Sequence, residues 1–567
     1  MIFSFTTENA QAISIAIVII TFLISVIFLW RERKKFLALF EKTNNVIFLG
    51  LLAIIITFSL LCIFKGFNFK SFIPSDQEWE VLEQAKGLTV GEQVFRHLRY
   101  GLVYPLLLSF LFRIFGFNVL VAPIMNFVLS ILSIFLVFAL SQAIFKKDKI
   151  SLITAFFYAF TPLIFVFSSF QMGFPTIISF FLLLISLVCV LYFQYHTIDL
   201  LILSVSLIAL ISQIKPEYFV LIIPFIFCFL LFKEYKKISS KKIIIVSFLF
   251  LVFSFPYFIQ NTQFKEGYND GFCGSPTQIF YGGKEYSYSV PLADQIDPIL
   301  KFFTNERFSI SYFVYDLPNF FEFWTLSSFN IIPVFALAGL IFGYKKYWKE
   351  FSFLFLVFSL ISILYLTDCT FFESRYAIPT YGILVIFAGF GLYMASKSII
   401  ELIGKNPNIL NILLLIVIFL IARDWWTNHY QAYLFKETYY DHFFGRGIVD
   451  DYNKIKKTLK NISIDGTNFI VPHVNEERIL RFLGYQAFSL INLESDARRK
   501  NFTKEFNPEK IVLPLETTKK NYFIYSGHCY NLPTLQELCS FVEDNYSLEL
   551  IEHTFSEEDK IYLFTDF

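Results

Sequence analysis

Apolar runs of bilayer length recur along about three quarters of this sequence, and they fix its class before any single residue is weighed. A hydrocarbon core of about 30 Å takes roughly 20 apolar residues per helix, and somewhat fewer inside a bundle. Twelve segments qualify, near 10–30, 46–64, 119–145, 150–168, 174–194, 199–214, 218–232, 243–258, 328–344, 351–366, 377–396 and 409–422. Apolar side chains make up 56% of the chain and charged ones only 16%, against roughly a quarter charged in soluble proteins, so a purely soluble fold is excluded. The net charge of +1 gives no positive field for nucleic acid, which is not expected as a partner.

Lysines and arginines in short loops are retained in the cytoplasm. They cluster at Arg31, Arg33, Lys34, Lys35 and Lys42; at Lys146, Lys147 and Lys149; at Lys233, Lys236, Lys237, Lys241 and Lys242; at Lys345, Lys346 and Lys349; and at Lys397 and Lys405. Twelve spans put every cluster on one side, which is assigned to the cytoplasm. The other face then receives the N-terminus, the loops 65–118 and 259–327, and everything from 424 onward. The first span is followed by positive charge and has no small-residue cleavage site, so it reads as a retained anchor.

Charge density changes sharply near residue 424. Of the 144 residues from there to the end, 38 are charged, an ordinary soluble density, whereas the preceding 423 hold 55. The expected organisation is an additional N-terminal helix with a basic cytoplasmic loop over 1–45, a membrane domain over 46–423, and an extracytoplasmic α/β domain over 424–567. In that last part a strand is predicted at 468–471, a helix at 475–482, further strands at 510–513, 522–525 and 561–564, and a helix at 534–544. Residues 450–459 also have helical spacing. Glu476, Glu477 and Arg478, like Glu557, Glu558 and Asp559, read as solvated faces, and the domain's expected role is to bind an acceptor or brace the outer loops. Asn461, Asn501 and Asn545 head N-x-S/T sequons, a weak signal.

Cys62, Cys189 and Cys228 lie in apolar spans, where a thiol behaves as a small hydrophobe. Cys273, Cys369, Cys529 and Cys539 fall outside, where two bridges can persist, Cys529 to Cys539 and Cys273 to Cys369; four reduced thiols are the alternative. No metal-ligand spacing is present, nor HExxH, GxGxxG or a P-loop. No cofactor is assigned and no metal-ligating residue is named, although a divalent cation is left open.

Ionisable groups near spans are costly and tend to be functional. Here they gather at one depth: Lys215 and Glu217 between the sixth and seventh spans, Asp368, Glu373 and Arg375 after the tenth, Arg423 and Asp424 after the last. No charge falls near the middle of a span, where a coupled transporter would place its binding groups. The pattern suits an enzyme working at the membrane surface. The first outer loop is densest, with Asp76, Glu78, Glu80 and Glu83, then Arg96, His97 and Arg99 before YGLVYP at 100–105. A carboxylate beside a membrane helix can take the proton of an acceptor hydroxyl. The competing interpretation of Glu78, Glu80 and Glu83 is the wet face of an amphipathic helix, with Leu82 and Ala85 packed inward. It is weaker for Asp76, which follows Pro74 and Ser75 where a helix would begin. His97 reads as a surface residue. The segment 275–291, rich in glycine and tyrosine, is turn-forming, and a helix is predicted near 297–303. The preferred role of this second loop is to close over donor or acceptor, with packing beneath the C-terminal domain nearly equal.

The acidic motif of the first outer loop, the run YGLVYPL at 100–106, FRIFG at 112–116, IKPE at 214–217 and SRYAIP at 374–379 together resemble the GT-C superfamily of integral-membrane glycosyltransferases. The nearest branches are the dolichyl-phosphate-mannose protein mannosyltransferases with their lipid A aminoarabinose-transferase relatives, and the mannosyltransferases of the lipid-linked-oligosaccharide and GPI pathways. The likeness spans residues 46–422. Two departures stand out: the usual Asp-Glu pair reads Asp76-Gln77, and the turn after the fourth span, often acidic in relatives, contains Gln171. The resemblance implies inverting transfer of a hexosyl or pentosyl group, mannose being one candidate, from a polyprenyl or dolichyl phosphate to an acceptor hydroxyl on protein, lipid or glycan. Asp76 would be the base with Glu78 its partner. Lys215, Arg375 and Arg99 would hold the donor phosphate, with Glu217 and Glu83 in support. Asp76, Lys215 and Arg375 are expected to line one cavity open to water and to lipid. The alternatives are a polytopic lipid or sugar transporter or flippase, and a noncatalytic scaffold with this fold.

Overall fold

The computed structural model of the 567-residue chain describes residues 7–41, 43–63, 76–92, 101–118, 120–161, 164, 168, 174–263, 279–281, 284–286, 331–367, 374–403 and parts of 412–423, then, in the C-terminal part, 459, 462–464, 466–472, 474–490, 493, 511–525, 529, 533–553 and 560–566. Each statement below concerns those residues.

The apolar runs form helices. In chain order they are α1 (Thr7–Arg31), α2 (Arg33–Glu41), α3 (Asn45–Leu61), α4 (Asp76–Val90), α5 (Val103–Phe115), α6 (Val121–Phe145), α7 (Asp148–Ala159), α8 (Phe174–Tyr195), α9 (Ile198–Ser212), α10 (Ile222–Leu231), α11 (Ser240–Gln263), α12 (Ile331–Gly343), α13 (Trp348–Thr367) and α14 (Ser374–Ile403). A 3₁₀ turn, Pro216–Leu221, leads into α10. Eleven of the twelve predicted segments contain one of these helices, and only some residues of the twelfth are described. By length and composition alone, five helices among the described residues can cross a bilayer, or six if α2 and α3, bent 106° apart, count as one span; several others are shorter apolar helices.

Two helices, α2 and α5, were not expected as separate elements. The basic loop after the first span contains α2, whose Phe36, Leu39 and Phe40 pack on the core, Phe40 stacking on Phe138 at 5.7 Å. Loop 65–118 contains α4 and α5. In the second long loop, Ile279–Tyr281 pairs antiparallel with Lys284–Tyr286 across the two glycines, as turn chemistry predicts; the helix expected near 297–303 lies outside the described residues.

Contacts between turns establish which ends of the helices meet. At one end Arg31 bonds Asp199 at 3.0 Å, Lys35 reaches Thr197 at 3.0 Å, and the Asn44 N–H donates to Asp148 at 2.9 Å. Glu234, fully buried there, accepts from Lys237 at 2.8 Å, and its other oxygen lies 2.7 Å from His196 Nδ1. Lys147 lies 4.9 Å from the Tyr393 ring, and Lys349 5.7 Å from Phe232. The basic clusters before residue 400 therefore gather at a single end. At the opposite end Gln11 donates to the Glu92 carbonyl at 3.1 Å, tying the start of α1 to the end of α4.

Helices α12 and α14 approach most closely, because Gly339 lies against the Phe387 carbonyl and Gly391 against that of Phe335, contacts in which any Cβ would overlap backbone. Small residues let membrane helices approach in this way.

The C-terminal part folds as β3 (Thr467–Val471), α15 (Val474–Leu483), β4 (Gln486–Ser489), β5 (Lys520–Tyr525), α16 (Pro533–Asn545), β6 (Ser547–His553) and β7 (Lys560–Asp566). The sheet order is β4-β3-β5-β7-β6; β3 runs parallel to β4 and β5, while β7 is antiparallel to β5 and β6. Alternation along the strands gives each face its own core. Phe469, Val471, Tyr522 and Ile524 point to the α15 side, whereas Ile470, Phe523 and Tyr525 meet Leu535, Leu538 and Val542 of α16. Two strands, β4 and β6, were not predicted. Residues 511–516 form no ladder, and the Leu515 N–H turns back to the Leu513 carbonyl at 2.8 Å, so over its described residues 511–513 the strand predicted at 510–513 is corrected to coil.

The expected Cys529 to Cys539 disulfide is present at 2.07 Å, tying the chain after β5 to α16. Cys62, Cys189 and Cys228 are buried in or at the ends of helices. Cys273 and Cys369 lie outside the described residues, as do 450–458, Arg478's side chain, Glu557, Glu558 and Asp559, and sequon residues Asn461 and Asn501. Asn545 closes α16, its amide donating to the Phe541 carbonyl at 2.8 Å.

Glu476 and Glu477 are not a solvated face. They are 1% and 4% exposed, since α15 packs on α4. Glu477 takes the Ser489 N–H at 2.9 Å and pairs with Arg481 at 2.5 Å, which offsets the cost of burying a carboxylate.

Candidate functional site

Three chain segments meet at the end of the bundle opposite the basic turns. The first is α4, which begins at Asp76. Its inward stripe is Val81, Leu82, Ala85 and Leu88, all buried, and it packs between α5 and α15. Thr89 Oγ1 bonds Ser109 Oγ at 3.1 Å and the Arg113 guanidinium reaches the Leu88 carbonyl at 3.4 Å, fixing α4 on α5. Leu82 and Ala85 thus face inward as an amphipathic helix requires. Glu83 is half-buried and acts electrostatically on Lys86, whose pKa burial pushes below the usual lysine range against the opposing pull of Glu92 and Glu83. Lys86 also lies 5.6 Å from the Phe117 ring.

The second segment is the YGLVYP run. The Gly101 N–H donates to the Ile214 carbonyl at 3.1 Å and the Val103 N–H to the Gln213 carbonyl at 2.9 Å. A Cβ on Gly101 would collide with the Gln213 carbonyl, so the close approach needs glycine. Tyr104, buried, meets Phe174 edge-on at 5.0 Å.

The third is the turn after α9. Lys215 is extended (φ −144°, ψ 118°), as the residue before Pro216 must be, and the 3₁₀ turn follows at once. Its side chain is 8% exposed, so it does not snorkel to water; Nζ lies 3.9 Å from Glu217 Oε1 and 4.8 Å from the Tyr365 ring. The Tyr365 hydroxyl donates to that of Tyr218 at 2.8 Å. The Lys215 ammonium is therefore held beside a carboxylate and an aromatic face, a cation in low-dielectric surroundings.

Of the predicted site residues, Lys215 and Glu217 come together. Asp76 and Glu78 are placed by backbone in the first turn of α4, and Arg375 in the first turn of α14, which starts at the end where α13 carries Tyr365. Their side chains lie outside the described residues, as do Arg99, His97 and Gln171, so the expected cavity of Asp76, Lys215 and Arg375 lies outside them too. Sequence reasoning did not find Tyr218 and Tyr365. Each is one of 31 tyrosines with no spacing signal. Among the described residues no group of three or more His, Cys, Asp or Glu side chains could hold a metal ion.

Residues 100–259 match the family described as dolichyl-phosphate-mannose-protein mannosyltransferase. No curated protein sequence matches the chain. Among solved structures, ArnT from Cupriavidus metallidurans bound to undecaprenyl phosphate superposes with a TM-score of 0.56 at 11% identity, over 91% of this chain and 98% of that one. Its apo form gives 0.55 at 10% identity, with the same coverage. The oligosaccharyltransferase AglB from Archaeoglobus fulgidus gives 0.48 at 13% identity, over 88% of this chain and 72% of that one. The sequence match over 100–259 and the ArnT superposition along nearly the whole chain agree with the likeness carried by the 100–106 and 214–217 motifs: the fold is that of the GT-C superfamily of membrane glycosyltransferases.

Proposed function

We propose that this chain is an integral-membrane glycosyltransferase that moves a sugar from a polyprenyl-phosphate donor to an acceptor hydroxyl, at the bundle end opposite the basic turns. The observation that carries the reading is the buried Lys215 on a turn hydrogen-bonded to the 101–103 backbone, within a GT-C fold. A cation withdrawn from water at that depth suits a lipid phosphate, whose prenyl tail stays in the bilayer while its charge meets the ammonium. Glu217 Oε1, 3.9 Å away, sets a carboxylate beside it. Positive charge in the short loops assigns the opposite end to the cytoplasm, so the reaction and the C-terminal α/β domain lie on the extracytoplasmic face.

In the reaction, Asp76 takes the acceptor proton as the hydroxyl oxygen attacks the anomeric carbon from the face opposite the phosphate. The carbon–oxygen bond to phosphate breaks with inversion, and Lys215, Arg375 and Arg99 stabilise the charge left on the lipid phosphate. Glu78 orients Asp76, with Glu83 and Glu217 in support. Mannose is one candidate sugar, in line with the matched family's description. The superposition on a protein that binds undecaprenyl phosphate supports a polyprenyl donor.

The test is transfer of labelled sugar from synthetic polyprenyl phosphates by purified protein, with and without chelator. Asp76→Asn keeps shape and removes the proton acceptor, so the rate should fall about 10²- to 10⁴-fold with donor binding intact. Undiminished activity would remove Asp76 as the base.

A further inference from the structure

The five-stranded sheet has two edges, and they differ. β4 at one edge is at most half exposed, with Ala487 and Ser489 buried. β6 at the other edge is open: Ser547, Glu549, Leu550 and Ile551 are all exposed, Leu550 at 44% and Ile551 at 47%. Among the described residues no strand pairs with its outer side. The register along β7 slips between Leu550 and Glu552, so Ile551 has no partner there and two consecutive apolar side chains face outward.

An open edge presents backbone donors and acceptors to any extended chain. Sequence selects which chain. From 533 to 567 there are nine acidic residues and one lysine, whereas 424–532 is near neutral with 13 acidic and 15 basic residues. Glu537, Glu543, Asp544 and Glu549 are exposed on α16 and β6. No lysine or proline, the usual guards of an edge, occurs in β6. A second copy of the same edge is disfavoured, since like charges would then lie side by side.

We infer that β6 is a docking edge for an extended basic polypeptide segment, which adds as a sixth strand through backbone hydrogen bonds, sets its lysines or arginines against the acidic rim, and covers Leu550 and Ile551 with apolar side chains at alternate positions. The inference stands apart from the transferase reading, because it uses no residue of that site.

The experiment uses the full-length protein in lipid nanodiscs and three fluorescent octapeptides: alternating lysine and valine, the same sequence N-methylated at every second residue, and alternating glutamate and valine. Anisotropy should show saturable binding of the first only. N-methylation keeps the charge and removes the backbone donors, so it should weaken binding at least tenfold, as should Glu549→Lys in the protein, with an unchanged melting curve certifying the variant's fold. Failure of the lysine peptide to saturate, equal binding of the N-methylated form, or a protein dimer that the peptide breaks would each overturn the inference. Sugar transfer measured on the same samples reports separately on the catalytic reading.

Discussion

Replacing Gly101 by alanine tests the geometry on which the site rests. The added Cβ would fall on the Gln213 carbonyl and 2.7 Å from its Cα, both backbone atoms that no rotamer change can clear. Either the 101–103 segment lifts off, losing the bonds to Ile214 and Gln213 at 3.1 and 2.9 Å, or the turn carrying Lys215 moves. Lifting off loses two hydrogen bonds at about 1 kcal/mol each, roughly 2 kcal/mol in all, whereas staying in place leaves overpacking of about 1–3 kcal/mol. If the turn yields instead, a shift of about 1 Å at Lys215 should cost about 10²-fold in rate. The assay is thermal melting in detergent together with sugar transfer, and the control is Gly50→Ala, whose Cβ meets only the end of the Leu152 side chain at 3.2 Å. Melting and transfer indistinguishable from that control would refute the close contact and the placement of Lys215 built on it.

Other consequences are open to measurement. Cys529→Ser with Cys539→Ser should lower the stability of the C-terminal part by about 2–3 kcal/mol, the entropy of a short closed loop, read by proteolysis of the α16 region against wild type. Burial depresses the Lys86 pKa in the folded chain, so the unfolded chain binds more protons between the two values and stability should rise with pH through that alkaline window; Lys86→Met should melt higher at neutral pH and lose the rise. For sidedness, a cysteine at Val512, 83% exposed in the C-terminal part, should react with a membrane-impermeant maleimide in intact cells, whereas one at Lys236 should react only after permeabilisation; the reverse pattern would invert the topology.

The helices were legible because a bilayer demands long apolar runs, and the runs at 121–145 and 174–195 need no partner to declare themselves. Less visible were elements whose identity depends on what they touch. α2 carries Arg33, Lys34 and Lys35 and reads as a basic loop until Phe36 and Phe40 find the core. Glu476 and Glu477 look solvated because their cover, α4, lies about 390 residues earlier in the sequence. Gly101 was legible as part of a motif, yet its reason sits in Gln213, and Tyr365 acquires meaning only from Lys215. Periodicity reports the face a helix turns to its average surroundings, not a contact made by one residue across the fold.

The C-terminal part also bears on how the base would be held. Binding an acceptor and bracing the outer loops are the alternative roles expected of it, and its α15 side and its β6 edge are different parts of the sheet. Its α15 side shares one apolar core with Val81, Leu82, Ala85 and Leu88 of α4, the helix that Asp76 begins. Each of those side chains left without cover would cost roughly 2 kcal/mol, so the contact resists opening. A domain bound that tightly does not swing on a linker; it moves with α4 or not at all. The edge that remains open, β6, lies at the far side of the sheet from β4. A polypeptide bound there would be carried by the same rigid body that sets the start of α4, so the distance from docking edge to Asp76 is fixed by the fold rather than by a flexible tether.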